Sequence, residues 1–144
     1  MKFGVASSAV VTLMLANAAF AATPKPMSND QSGSFLIDSA TSEKIWKANT
    51  PARVVKLYPS KKFRFVSEVG GGFNEAKTCI VSARAMLLPV VFLPIQGTKI
   101  VYAPIKSATT YDAAPNLSRE QCEELAKAKL KEAIQSVTSA LVAS

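Results

Sequence analysis

The sequence contains no histidine. Histidine is the commonest general base in enzymes and a frequent metal ligand, so its absence excludes the Ser-His, Cys-His and histidine-metal sites. Glu68 and Glu75, which flank glycines 70–72, could be imagined as a glycosidase pair, but nothing in the sequence fixes their separation. The sequence therefore favours a protein that is not an enzyme, with no cofactor and no metal. A hydrolase that works without histidine is the weakest alternative.

Cysteine is also scarce, since Cys79 and Cys122 are the only two. Two thiols without histidine supply too few ligands for a zinc site, and their wide spacing is unlike the Cys-x-x-Cys pair of redox proteins. An even pair in an oxidising compartment usually forms a bridge. We predict a structural disulfide between the two residues.

The chain lacks an apolar run long enough to span a bilayer. Its N-terminus has one positive charge at Lys2, an apolar stretch over residues 4–15, and small residues at Ala19 and Ala21. This pattern predicts a secretory signal peptide over 1–21, cleaved after Ala21, and export to the periplasm or the medium. We expect a flexible leader over 22–34, a single domain over 35–144, and no transmembrane segment in the mature chain.

Alternation and turn residues predict strands in the middle of the chain, bounded by Pro59-Ser60 and by glycines 70–72. In the second strand, Phe63, Phe65 and Val69 point to one face and Arg64 and Glu68 to the other. Residues 111–115 are interpreted as loop. The predicted strands are 53–58, 61–69, 77–88 and 98–105.

The C-terminal segment is typical of an amphipathic helix. Ser118 and Gln121 form a capping-box pattern at its start, and apolar residues recur at spacings of three and four. Cys122 lies on this stripe, so a bridge to Cys79 would fix the helix across the sheet. The predicted fold is α+β: a small, mostly antiparallel sheet of about four strands packed on one C-terminal amphipathic helix. The stripe comprises Cys122, Ala126, Leu130, Ala133, Ile134, Val137 and Leu141.

Residues 86–95, MLLPVVFLPI, are the most apolar segment of the predicted domain. Pro89 and Pro94 exclude a long helix and allow an edge strand or an irregular crossing. The segment could be buried core, which most short apolar runs are, or an exposed patch that meets a protein partner or a membrane surface. The candidate partner contacts are Val90, Val91, Phe92 and Leu93.

Acidic residues are rare from 44 to 106, where Glu68 and Glu75 are the only ones among many lysines and arginines. If several of these bases share the outer face of the sheet, their field would attract an anionic surface or polyanion. The simpler interpretation is a solvated sheet face whose edge lysines prevent aggregation. Nucleic acid is disfavoured, because the aromatic residues are not interleaved with the basic ones. The candidate anion-binding residues are Lys56, Lys61, Lys62 and Arg64.

These features together predict an exported binding protein that recognises an envelope or secreted protein partner, as an inhibitor, immunity or accessory factor. The alternative is a binder of polyanions or anionic membrane surfaces through a basic sheet face.

Overall fold

A computed structural model describes residues 28–30, 36–95, 97–100 and 103–143 of the chain. The predicted signal peptide and most of the predicted leader lie outside these residues. No helix in the described part is both long and apolar enough to cross a membrane. The elements, in chain order, are β1 (Ser28–Asp30), α1 (Ser39–Asn49), α2 (Ala52–Leu57), β2 (Phe63–Phe73), β3 (Thr78–Leu93), β4 (Gly97–Ile100), β5 (Lys106–Pro115) and α3 (Arg119–Val142).

Three antiparallel strands form the centre of the sheet, with β3 between β2 and β5. Two short strands extend it: β1 pairs parallel to β2, and β4 pairs with the last four residues of β3. Helix α3 covers one face, where it buries its apolar stripe against inward-facing side chains of the strands. The predicted α+β arrangement is confirmed, with a three-stranded antiparallel centre in place of about four strands.

Helix α3 begins where the capping pattern predicts. The Gln121 N–H donates to the Ser118 hydroxyl at 3.2 Å, and the Ser118 N–H donates to the Gln121 side-chain oxygen at 2.8 Å. These two bonds satisfy N–H groups that the first turn of a helix leaves without partners. Every position of the predicted apolar stripe is buried.

The predicted disulfide joins Cys79 on β3 to Cys122 in the first turns of α3, with a Cα–Cα distance of 5.8 Å. Both residues are fully buried. The bridge closes a loop with a sequence separation of 43. The chain-entropy model gives such a loop a stabilisation of about 4 kcal/mol.

Helix α1 was not predicted, although it supplies the largest residue of the core. Its N-cap is Asp38, whose carboxylate accepts the Thr41 N–H at 2.6 Å. Trp46 is fully buried, and its ring lies 5.1 Å from that of Phe65, centroid to centroid.

The predicted strand over 53–58 is wrong, because this segment is helix α2. Pro51 stands at the N-cap with φ −61°, the rotation that proline imposes and a helix start accepts. Val54 and Val55 are buried on one side of the helix. The two valines, which favour a strand by propensity, therefore pack into the core from a short helix. Their packing outweighs their β propensity.

The prediction that glycines 70–72 end the second strand is also wrong, because β2 runs through them to Phe73. Gly71 has φ +132°, and a Cβ on it would lie 2.0 Å from the Ile80 carbonyl oxygen. Only glycine fits this close approach of two strands. Gly71 thus keeps β2 paired with β3 where a side chain would separate the strands.

The region after β3 also differs from the prediction. The strand expected over 98–105 is the shorter β4, and the expected loop at 111–115 is the second half of β5. No residue of β5 is buried, so the strand lacks the hydrophobic alternation that would have indicated it.

Candidate functional site

The last part of β3 extends past the three-stranded centre as one side of a β-hairpin. Pro89, opposite Phe63, is the last β3 residue that pairs with β2. From Val90 to Leu93 the strand pairs with β4, and Pro94 and Ile95 form the turn. We refer to the described residues of this hairpin, 90–95 and 97–100, as the arm.

Pro89 is tolerated inside this long strand because its missing N–H falls where β5 no longer pairs. The N–H groups of a strand alternate between its two edges. The Val90 N–H donates to the Lys62 carbonyl on the β2 side at 2.7 Å, so position 89 faces the opposite edge. There the pairing with β5 has ended at Leu87. The proline thus marks the boundary between the sheet and the arm.

The apolar segment 86–95 divides at that boundary. Leu87 and Leu88 are buried in the domain, whereas Val91 is 41% exposed and Ile95, at the tip, is 97% exposed. Val90 and Leu93 are partly exposed. The backbone of Phe92 lies opposite Thr98, and its side chain is outside the described structure. The first half of the segment is core, and the second half presents apolar side chains to solvent.

Exposed cations lie on α2 and in the turn that leads from it to the base of the arm. Arg53 and Lys56 are on α2, and Lys61 and Lys62 are in the turn that leads into β2. All four are exposed. The hydrogen bond from Val90 to Lys62 joins this turn directly to the arm. We call these four residues the basic corner, and the arm and the basic corner together the arm end.

The four candidate anion-binding residues are not equivalent. Lys56, Lys61 and Lys62 belong to the basic corner. The guanidinium of Arg64, in contrast, is part-buried and donates to the backbone carbonyls of Ser60 and Phe63. These hydrogen bonds stabilise the turn that carries Lys61 and Lys62.

The expectation that these bases share the outer face of the sheet is wrong for the three lysines, which lie on α2 and in a turn. The outer face carries instead a small buried apolar cluster, Val66, Met86 and Leu88. Next to it, Glu68 and Arg84 on neighbouring strands approach to 3.9 Å. The outer face is therefore mixed.

The segments that form the arm end contain no acidic residue. The sequence has none from 44 to 67 and none from 76 to 111, the segments that contain both parts of the arm end. At the other end of the sheet, Asp112 lies on the second half of β5, and Glu120, Glu123 and Glu124 lie in the first turns of α3. The arm end thus presents positive charge without neighbouring carboxylates in its own segments.

Glu68 and Glu75 lie at different positions along β2 and the turn after it. Glu68 is in the middle of β2 and Glu75 is beyond its end. Five residues of extended strand alone separate Glu68 from Phe73 by roughly 17 Å, whereas glycosidase carboxylates stand about 5 to 9.5 Å apart. In the described part of the chain, no group of three or more histidine, cysteine or acidic side chains could hold a metal ion.

A shallow groove of ≈ 580 Å³ between α1 and α3 is a second candidate site. Lys44, Lys127 and Lys131 line it above an apolar floor that includes Ile45. Its charge is partly neutralised, because Glu124 also lines the groove and lies 2.7 Å from the Lys127 ammonium. This hydrogen bond raises the pKa of Lys127 above its ordinary value. The groove is a weaker candidate for an anionic ligand than the arm end.

Comparisons of the chain with models of protein families, with curated proteins and with solved structures found no match.

Proposed function

We propose that the mature chain is an exported, non-enzymatic binding protein that recognises a protein partner through the arm end, as an inhibitor, immunity or accessory factor. The observation that supports this function best is the apolar arm, with Val91 and the tip residue Ile95 in solvent, beside the basic corner. Exposed apolar side chains next to charges of one sign are typical of interaction surfaces.

The chemistry of the surface defines the partner. A protein that fits would present an apolar contact for Val91 and Ile95, bordered by carboxylates opposite the basic corner. The polar border would speed the encounter and select the partner, while burial of the apolar side chains would supply most of the affinity. The absence of histidine supports a role that needs no general base.

Export is part of this proposal. The N-terminal sequence pattern supports it, and so does the disulfide between Cys79 and Cys122, since such bridges persist in oxidising compartments and are rare in the cytosol.

The test is capture of partners from envelope extract by the wild type and by two matched variants. Ile95→Asp places a charge at the tip of the arm. Ile80→Asp does the same at a 44% exposed residue on the outer face of β3, away from the arm. A protein retained by the wild type and by Ile80→Asp, and lost with Ile95→Asp, is the expected result. Equal retention of the same protein by both variants, or no retained protein, would contradict the proposal.

The second candidate function is binding to an anionic membrane surface. The observation that favours it is the almost complete exposure of Ile95, on a tip that could enter the interfacial layer while the basic corner meets anionic headgroups. Vesicles of phosphatidylglycerol and phosphatidylcholine should then bind the chain at low salt and release it at high salt. Equal binding to pure phosphatidylcholine, or none to either, would eliminate this function.

A further inference from the structure

The outer edge of β5 is a second surface that could bind a partner. In the described part of the chain, β5 pairs with β3 along one edge and no strand pairs along the other. Natural proteins usually block such an edge with lysine, proline, a bulge or a covering element. Between Lys106 and Asp112 the strand has neither charge nor proline. The side chains of β5 that face inwards are only partly buried, so α3 does not cover this edge of the sheet.

Alternation of the backbone shows which groups are available at this edge. The Asn116 N–H donates to the Lys77 carbonyl on the β3 side at 3.2 Å, so even-numbered residues of β5 bond to β3. The odd-numbered residues therefore direct their N–H and C=O groups outwards. The Ala113 N–H already donates to the Asp112 carboxylate at 2.8 Å. Ser107, Thr109 and Tyr111 remain with outward groups to pair.

We propose that a second copy of this chain pairs antiparallel with this edge, about a twofold axis at Thr109. Antiparallel pairing about an axis is self-complementary. Centred on Thr109, it pairs Ser107 with Tyr111 of the second copy and Thr109 with its own counterpart. All three available residues of each copy then exchange hydrogen bonds.

An axis at Tyr111, the next outward-facing residue, satisfies fewer groups. It would pair Thr109 with Ala113, whose N–H is already bound to Asp112, and Ser107 with Pro115, which has no N–H. Hydrogen bonding therefore favours Thr109 over Tyr111 as the centre.

Charge complementarity favours a second copy over an unrelated strand. In the Thr109 register, Lys106 lies opposite Asp112 of the second copy, and the reverse pair lies across the axis. Opposite charges in directly facing positions stabilise an antiparallel pair. Asp112 also contacts the Lys129 ammonium of α3 at 3.3 Å, which holds its carboxylate on the helix side of the sheet, the side that Lys106 shares by register.

The pairing would make one continuous sheet with both α3 helices on the same face. Because the two β5 strands run in opposite directions, the two arms would extend from opposite ends of the assembly. Each arm would remain accessible, so a dimer could bridge two partners.

The test is the concentration dependence of the mass of the purified, oxidised chain, measured by sedimentation equilibrium. Thr109→Pro removes an outward N–H that β3 does not use, and edge strands accept proline at such a position. We expect its dimer dissociation constant to rise by at least about tenfold, since the change acts twice across the axis. Thr109→Val, which keeps the N–H and is β-branched, should dimerise as the wild type does.

A second variant guards against a folding artefact. Lys106→Asp sets carboxylates opposite each other at both ends of the pairing and should also weaken the dimer by at least about tenfold, with an unchanged melting temperature. A wild type that stays monomeric at all accessible concentrations would overturn the proposal, even if the edge binds a strand of another protein. So would a dimer that Lys106→Asp and a folded Thr109→Pro leave unchanged.

Discussion

The two halves of β3 differ although they belong to one unbroken strand. From Cys79 to Leu87 the inward side chains are fully buried, and the strand is flanked by β2 and β5 and bridged to α3. Beyond Pro89, the strand pairs with β4, and Val91 is 41% exposed. The same apolar composition therefore stabilises the domain in one half and is available for recognition in the other. The number of strands and helices that pack around each half of β3 decides between these two roles. The sequence of the strand alone does not reveal it.

The largest effect should come from the bridge in the buried half. Replacing Cys79 and Cys122 with alanine should lower the free energy of unfolding by about 4 kcal/mol, because the unfolded chain regains the freedom of the closed loop. Urea unfolding of the oxidised wild type and of the double variant measures this difference. A loss below about 1 kcal/mol would mean that the core alone holds α3 on the sheet.

A matched pair of leucines tests the difference along β3 directly. Leu87 is fully buried and Leu93 is only partly so. Leu87→Ala should cost about 3 kcal/mol through lost burial and a cavity, whereas Leu93→Ala should cost less than about 1 kcal/mol. Urea unfolding of both variants provides the measurement. Equal losses would show that the arm is part of the core.

The glycines of β2 test how closely the strands approach in the buried half. Gly71→Ala should destabilise by about 2 to 3 kcal/mol, because it combines a positive φ with a Cβ against the Ile80 carbonyl. Gly70→Ala is the control, since a Cβ there meets nothing within 4 Å. Thermal unfolding of the two variants should therefore diverge. If Gly71→Ala melts with Gly70→Ala, the close approach of β2 and β3 is wrong.

The smallest effect concerns the cap of α3. Ser118→Ala removes the acceptor of the Gln121 N–H and should cost about 1 kcal/mol. Ser118→Asp, which restores an acceptor at the positive end of the helix dipole, should recover most of this loss. Urea unfolding measures both changes in stability. If Ser118→Ala lost no stability, the disulfide would make the cap redundant.

The parts of the fold that the sequence predicts are those with a long periodic signal. Helix α3 combines a cap, a stripe and a cysteine on that stripe, so several independent signals agree. The disulfide follows from the same agreement.

The failures have physical causes. Helix α1 buries Ser42 in a position where an apolar residue would have revealed the period; its hydroxyl lies 2.6 Å from that of Ser67. Strand β5 is an edge without buried residues, so its polarity resembles that of a loop. Helix α2 is six residues long, too short for periodicity to outweigh two valines.

For the candidate site, the sequence predicts candidate residues but not their arrangement. Lys56, Lys61 and Lys62 were selected as candidate anion-binding residues, and Val90 to Leu93 as candidate partner contacts. The hydrogen bond between Val90 and Lys62 joins the turn to the arm, and it connects positions far apart in the chain. Such a long-range contact leaves no local pattern.

Amide hydrogen exchange along β3, measured residue by residue on the oxidised chain, tests the division of the strand most directly. The amides from Cys79 to Leu88 should exchange only when the whole domain unfolds, and those of Val91 to Leu93 should exchange much faster, through local opening of the arm. Equal, slow exchange on both sides of Pro89 would contradict this account, because the arm would then be part of the stable core.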